Sequence, residues 1–325
     1  MNLSIARTLL FFFPIICCAL FVAAMILSPD AHKISVYRVF FTQGFWLNVP
    51  YILAAITTAI VAARARRWGT FSVVSLLLAL AVVVFYARYV EPRRLVVQEH
   101  TIKVGASLRI AFIADLHIGI FDGKSRMQQI VDALNRLDVD VVAVGGDWTD
   151  EAQRPLIELL APIAQSRHRV IAVLGNHDEG MPGIRVVEEL EAALKQLNVE
   201  NIEGKVVDVK NVRIAGIGDR FAKKDVLPDF DPAKPPHVVL GHNPDSIDRL
   251  RETPIRLLLA GHTHGGQINL PILTEYILAR FTDGQYKQGL YKRGENHVFV
   301  TAGLGTVGLP LRFFQPPVID VINLR

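Results

Sequence analysis

The stretch "LLLAGHTHGGQINL", Leu257 to Leu270, governs how the rest of the chain is read. An apolar run ends at Gly261. His262 and His264 follow with one residue between them, and Gly265 and Gly266 come next. A short apolar run bounded by glycine reads as a buried strand. A His-x-His pair alone is a weak sign of a metal site, since most histidines are surface or satisfied core residues. The pair gains meaning only if other strand ends supply partners.

Four others do. "RIAFIADLH" ends at Asp115 and His117, and "VDVVAVGGDWTD" at Asp147 and Asp150. "RVIAVLGNHD" ends at Asn176, His177 and Asp178, and "HVVLGH" at His242. Glycine directly precedes the polar residue in four of the five cases. Without a Cβ, it lets the backbone turn sharply and approach a site closely. In open α/β sheets, ligands bind outside the carboxyl ends of strands. The pattern therefore predicts one cleft fed by five strands with imidazole, amide and carboxylate groups.

Between these runs lie amphipathic helices. "KSRMQQIVDALNRL" puts Met127, Ile130, Val131, Leu134 and Leu137 on one face,. "PGIRVVEELEAALKQL" does the same with Val186, Val187, Leu190, Leu194 and Leu197. Strand-like runs dominate later. The expected class is α/β: a sandwich of two mixed sheets with helices outside, over residues 108–325.

The first third differs. Apolar segments at Leu9–Leu27, Phe45–Ala63 and Phe71–Ala87 carry almost no charge. Each approaches the roughly 20 residues that span hydrocarbon as a helix. They predict a multi-pass membrane region over residues 1–90 with three helices, and a juxtamembrane linker over 91–107. An inner N-terminus would place residues 108–325 on the outer face of a cytoplasmic membrane. The basic residues do not decide this: Arg7, Arg64, Arg66 and Arg67 stand against Lys33, Arg38, Arg88, Arg93 and Arg94,.

Charge follows the same division. The chain holds 35 Lys/Arg and 31 Asp/Glu; residues 1–107 contain ten and three of these, and residues 108–325 contain 25 and 28. The later part has no basic excess, so a nucleic-acid partner is not expected. The two cysteines, Cys17 and Cys18, are adjacent within an apolar run and offer neither a disulfide framework nor ligands to the distant cleft,.

Taken in order, the blocks resemble those of the calcineurin-like metallophosphoesterases: D-x-H, G-D-x-x-D, G-N-H-D/E, G-H and G-H-x-H. Here they read Asp115-Leu-His117, Gly146-Asp147-Trp-Thr-Asp150, Gly175-Asn176-His177-Asp178, Gly241-His242 and Gly261-His262-Thr-His264. Residues 108–325 look most like the subgroup of bacterial YaeI and YkuE phosphodiesterases.

The resemblance implies two divalent metal ions. One would take Asp115, His117, Asp147 and His264; the other would take Asp147, Asn176, His242 and His262. Imidazole and carboxylate ligands suit Mn, Fe or Zn better than Mg or Ca. It also implies hydrolysis of a phosphodiester or phosphomonoester by a hydroxide held between the ions. His177 would serve as general acid and Asp150 would orient it, with Asp178 the weaker candidate for that second role. The substrate would be a phosphorylated small molecule or lipid. Related membrane-anchored enzymes cleave the UDP-diacylglucosamine pyrophosphate, which needs a cytoplasmic catalytic face. A catalytically inactive membrane binding or sensing module is the alternative of a different class; it should have lost ligands, and all seven are present.

Overall fold

The computed structural model describes residues 3–27, 36–37, 40, 47–152, 155–280 and 282–325. The chain divides into two compact units, Met1–Glu91 with Leu309–Leu311, and Pro92–Gly308 with Arg312–Arg325.

In the first unit, the apolar runs form α1 (Leu3–Leu27), α2 (Asn48–Arg64) and α3 (Trp68–Phe85). Small buried residues (Ala55, Thr58, Ala59 and Ala62) lie along α2; such residues let helices approach closely. Asn48 Nδ2 donates to Ala81 O at 3.0 Å, and the Tyr51 hydroxyl to Leu10 O at 3.2 Å. Large apolar side chains point outward, among them Ile15, Leu20, Leu53, Leu76 and Leu80. Leu10–Leu27 and Trp68–Arg93 are long and apolar enough to cross a bilayer, by length and composition. At 17 residues α2 is shorter, about 26 Å at 1.5 Å per residue. Phe45 and Trp46 of the expected second span, with Lys33 and Arg38, lie outside the described residues.

The second unit holds fourteen strands among the described residues. In chain order the first seven are β1 (Val96–Ile102), β2 (Leu108–Ile113), β3 (Ile118–Gly119), β4 (Val141–Gly145), β5 (Thr149–Asp150), β6 (Arg169–Val173) and β7 (Val199–Asn201). The rest are β8 (Val206–Val209), β9 (Val212–Gly216), β10 (Val238–Leu240), β11 (Leu257–Ala260), β12 (Gly289–Arg293), β13 (Asn296–Val300) and β14 (Val318–Leu324). One sheet runs β1-β14-β2-β4-β6-β7, and the other β12-β13-β11-β10-β9-β8. The site-bearing strands are parallel within each sheet: β2, β4 and β6 in the first, and β9, β10 and β11 in the second. Their carboxyl ends therefore emerge along one edge of each sheet.

Strand alternation sets the layers. Ile110, Phe112, Val141, Ala143, Ile171 and Val173 of the first sheet pack against Ile214, Val238, Leu240, Leu257, Leu259 and Phe299 of the second. On the outer face of the first sheet, Ala111, Ile113, Val142 and Val144 meet Met127, Ile130 and Leu134 of α4 (Lys124–Leu134). The same layer contains α5 (Leu156–Leu160) and α6 (Val187–Gln196), with Leu190 and Leu194 facing inward. Outside the second sheet, the covering element is a 3₁₀ segment, Pro244–Leu250, whose Ile247 and Leu250 pack on Val239 and Leu258.

The expected linker over 91–107 needs correction. Val96–Ile102 is an edge strand, paired parallel to β14 from Val96↔Val318 to Ile102↔Leu324. Its partly or fully buried positions are Val96, Gln98, His100 and Ile102. Two of the four are polar, which hides the period-two pattern. His100 is accommodated by a 2.8 Å contact from Nε2 to Asp320 Oδ1.

Candidate metal centre

The seven expected ligands, with His177 and Asp150, meet at the strand ends. Past β2, Asp115 Oδ1 lies 3.9 Å from His264 Nε2, and His117 Nε2 lies 3.1 Å from the same atom. Past β4, Asp147 Oδ2 lies 3.5 Å from His117 Nε2 and 3.3 Å from His242 Nε2. Past β6, Asn176 Oδ1 lies 3.0 Å from His242 Nε2 and 2.9 Å from His262 Nδ1. Asp147 thus stands between two groups, His117 on one side and His242 on the other.

The backbone geometry amends the glycine argument. Asp115, His117, Asp147, His262 and His264 themselves take positive φ, between 45° and 74°. Such residues cluster at functional sites, where the surrounding structure holds the strain. Gly175 and Gly261 serve space instead. A Cβ on Gly175 would lie 2.2 Å from Asp147 Oδ1, and one on Gly261 would lie 2.8 Å from Asp115 Oδ2. Gly146 does both, with φ +87° and His242 Nδ1 only 2.8 Å from an added Cβ.

The donor set fits divalent cations. In the neutral tautomer that donates from Nδ1 to Gly145 O at 2.7 Å, His242 directs its Nε2 lone pair at Asn176 Oδ1 and Asp147 Oδ2,. Lone pairs of His242, Asn176 and Asp147 then converge on one point, which a divalent cation satisfies and which otherwise favours a proton on His242. Burial pushes the Asp115 carboxyl up to about 7 and the His117 imidazole down to about 4. Burial also holds His264 well below its ordinary value. For Asp147 and His242 burial works against charge, but their mutual attraction outweighs it, lowering the acid and raising the base. Three sets among the described residues, Asp115-His117-His264, His117-Asp147-His177 and Asp115-Asp147-His242, each offer ligand atoms within 4.8 Å of one another.

His177 lies beside this cluster. Its backbone N–H donates to Asp147 Oδ1 at 2.9 Å, and its ring meets that of His117 edge-on at 4.9 Å. Its Nδ1 is 3.6 Å from Asp150 Oδ1, an ion-pair distance rather than a hydrogen bond,. Burial opposes charge on His177, yet Asp150 and Asp147 outweigh it and raise the imidazole above its usual value.

Asp178 has a different job. Its carboxylate accepts from the backbone N–H groups of Gly175, Trp148 and Thr149 at 3.0, 3.2 and 3.1 Å. It ties the strand-end loops together, and no hydrogen bond joins it to His177. Asp219, past β9, is a residue the sequence reading missed. It is buried, and its Oδ1 accepts from Phe221 N and Ala222 N. The signal was present: "GIGD" repeats the glycine-then-polar strand ending.

Comparison with known proteins gives the family. Residues 108–266 match the family described as calcineurin-like phosphoesterase. The phosphodiesterase YaeI of Escherichia coli K12 is 30% identical over 251 residues, 74% of this chain and 92% of that protein. An uncharacterized metallophosphoesterase of Helicobacter pylori J99 is 33% identical over 234 residues, 68% of this chain. A transmembrane protein with metallophosphoesterase domain of Danio rerio is 32% identical over 237 residues, 67% of this chain and 53% of its own length. The chain spans 61% of the length of the Helicobacter pylori relative. The chain belongs to the calcineurin-like metallophosphoesterase family.

Proposed function

We propose that the chain is a membrane-anchored, metal-dependent phosphoric ester hydrolase of phosphodiesterase type, acting on a phosphorylated small molecule or lipid. What carries the reading is the convergence of Asp115, His117, Asp147, Asn176, His242, His262 and His264 beside the His177–Asp150 pair. Asp115, His117, Asp147 and His264 would hold one divalent ion, and Asp147, Asn176, His242 and His262 a second, with Asp147 shared. Such ions, when bound, activate water near neutral pH and stabilise charge on phosphoryl oxygens. Mn, Fe and Zn suit these ligands.

The protein's own groups do the rest. The backbone N–H of His177 holds Asp147 Oδ1, which fixes the angle at which Oδ2 meets His117 and His242. His242 is oriented through Gly145 O. His177, whose hold on a proton is raised by Asp150 and Asp147, is suited to give that proton to the leaving oxygen,.

Membrane anchoring is supported by the two long apolar helices and by the transmembrane name of the Danio rerio relative. With α2 counted as a third span, an inner N-terminus leads to an outer catalytic face. The test uses the full chain in detergent, stripped of metal and reloaded with Mn, Fe or Zn, on bis-p-nitrophenyl phosphate and p-nitrophenyl phosphate. Metal-dependent release of p-nitrophenol that is lost in Asp147→Asn supports the reading; metal-independent release, or none, defeats it. For orientation, paired reporters fused at Arg325 decide. One is active only outside the membrane and the other fluoresces only inside, and inner fluorescence would bring the pyrophosphate-cleaving reaction forward.

A further inference from the structure

Arg312 is fully buried, yet it lies outside every block that marks the site. Its Nε and Nη2 donate to Gly305 O at 2.9 and 2.7 Å, its Nη2 to Ala302 O at 2.9 Å, and its Nη1 to Gln315 O at 3.2 Å. Burying a guanidinium is costly unless its N–H groups are met, and here backbone carbonyls accept four hydrogen bonds from it. Those of Ala302 and Gly305 belong to the turn at 302–305, which lies against the segment carrying Asp115. Leu304 N donates to Ala114 O at 3.1 Å, and Gly305 N to Asp115 O at 2.6 Å. A Cβ on Gly303 would lie 2.6 Å from Asp115 Oδ2, and one on Gly305 would lie 2.4 Å from Leu116 O. Asp115 and His117, on either side of Leu116, are both held at positive φ.

We infer that Arg312 is a positioning residue: it locks the 302–305 turn against the strained Asp115–His117 segment and thereby sets the first of the two proposed ion sites. The inference rests on the metal-site reading above and concerns only how that site is held. The guanidinium fork matters because one planar group reaches three carbonyls; a lysine ammonium, a single point charge on a flexible four-carbon stem, reaches fewer.

The experiment is metal titration of the full chain in detergent, with Arg312→Met, Arg312→Lys and Gly303→Ala beside the unaltered protein, using Mn²⁺ alone as the probe. If the unaltered chain binds no Mn²⁺, the metal-site reading itself fails. If it binds two, Arg312→Met is expected to weaken one site at least ten-fold and leave the other within about two-fold. With bis-p-nitrophenyl phosphate, kcat should fall at least ten-fold with little change in KM. Arg312→Lys should recover part of the loss, and Gly303→Ala should reproduce it with Arg312 intact. Should Arg312→Met fail to fold, Arg312→Lys and Gly303→Ala carry the test. Two ions bound at unaltered affinity, or equal weakening of both sites, would overturn the inference.

Discussion

The Nε2 atoms of His117 and His264 face each other at 3.1 Å although 147 residues separate them in the chain. Their rings are stacked, 25° from parallel. Burial lowers the pKa of both, so both are neutral at pH 7. Two neutral imidazoles aimed at one point beside Asp115 form half of a cation site. His117→Ala or His264→Ala should therefore lower bound metal and reduce kcat/KM by at least about 100-fold. Altering only the partners that orient a metal ligand already costs roughly 10–100-fold. Metal content after gel filtration and activity in excess metal check this; unchanged content in either variant removes that residue from the ligand set.

His177 should reveal itself through the leaving group. A general acid contributes roughly 10²–10⁴-fold, but it matters most when the departing oxygen is basic. His177→Asn should cost about 100-fold or more on an alkyl ester and much less on a p-nitrophenyl ester. Asp150→Asn should shift both in the same direction by about ten-fold, since 3.6 Å to Nδ1 is an orienting distance. Equal losses on the two leaving groups would leave His177 without a role in proton donation.

The site was more legible than the frame around it. Glycine followed by a polar residue at a strand end marks a position where backbone and ligand crowd together. A Cβ added at Gly175 or Gly261 would lie only 2.2 or 2.8 Å from Asp147 or Asp115, too close for any side chain. That signal is local, so one sequence discloses it. β1 escaped because Gln98 and His100 occupy inward positions, and their accommodation depends on Gln288 and Asp320, 190 and 220 residues away. Arg312 escaped for the same reason. The turn it holds is reached through carbonyl oxygens, which every residue has and no sequence displays. Asp178 sat inside a recognised block, yet whether it oriented His177 or pinned backbone turned on where the N–H groups of Trp148 and Thr149 point.

That pinning makes Asp178 a stability residue. Asp178→Ala leaves three buried N–H groups without their acceptor, at about 1–3 kcal/mol each when unsatisfied. A loss of at least about 3 kcal/mol is expected on that basis, with lower Tm and reduced metal retention. Asp178→Asn keeps one acceptor oxygen and should lose less than half as much. Thermal unfolding of the two variants in saturating metal checks the order. Asn as damaging as Ala would mean that charge, not acceptor geometry, holds the loops.

Glu203 predicts a pH effect away from the metal ligands. Burial pushes its carboxyl from 4.5 up to about 7, against the opposing hydrogen bond from Leu174 N, at 2.7 Å, and the attraction of Lys224. The folded chain therefore binds a proton there that the unfolded chain releases between pH 4.5 and about 7. Stability falls as pH rises through that window, and the full cost is present above about pH 7,. The magnitude is on the order of 2 kcal/mol, allowing for partial exposure of the side chain. Glu203→Gln keeps an oxygen for Leu174 N and removes the titration. The drop in Tm from about pH 5 to about pH 8 should accordingly be smaller in the variant than in the unaltered chain, because the variant gains stability at the higher pH. An identical drop in both would show that Glu203 ionises in the folded protein at no cost.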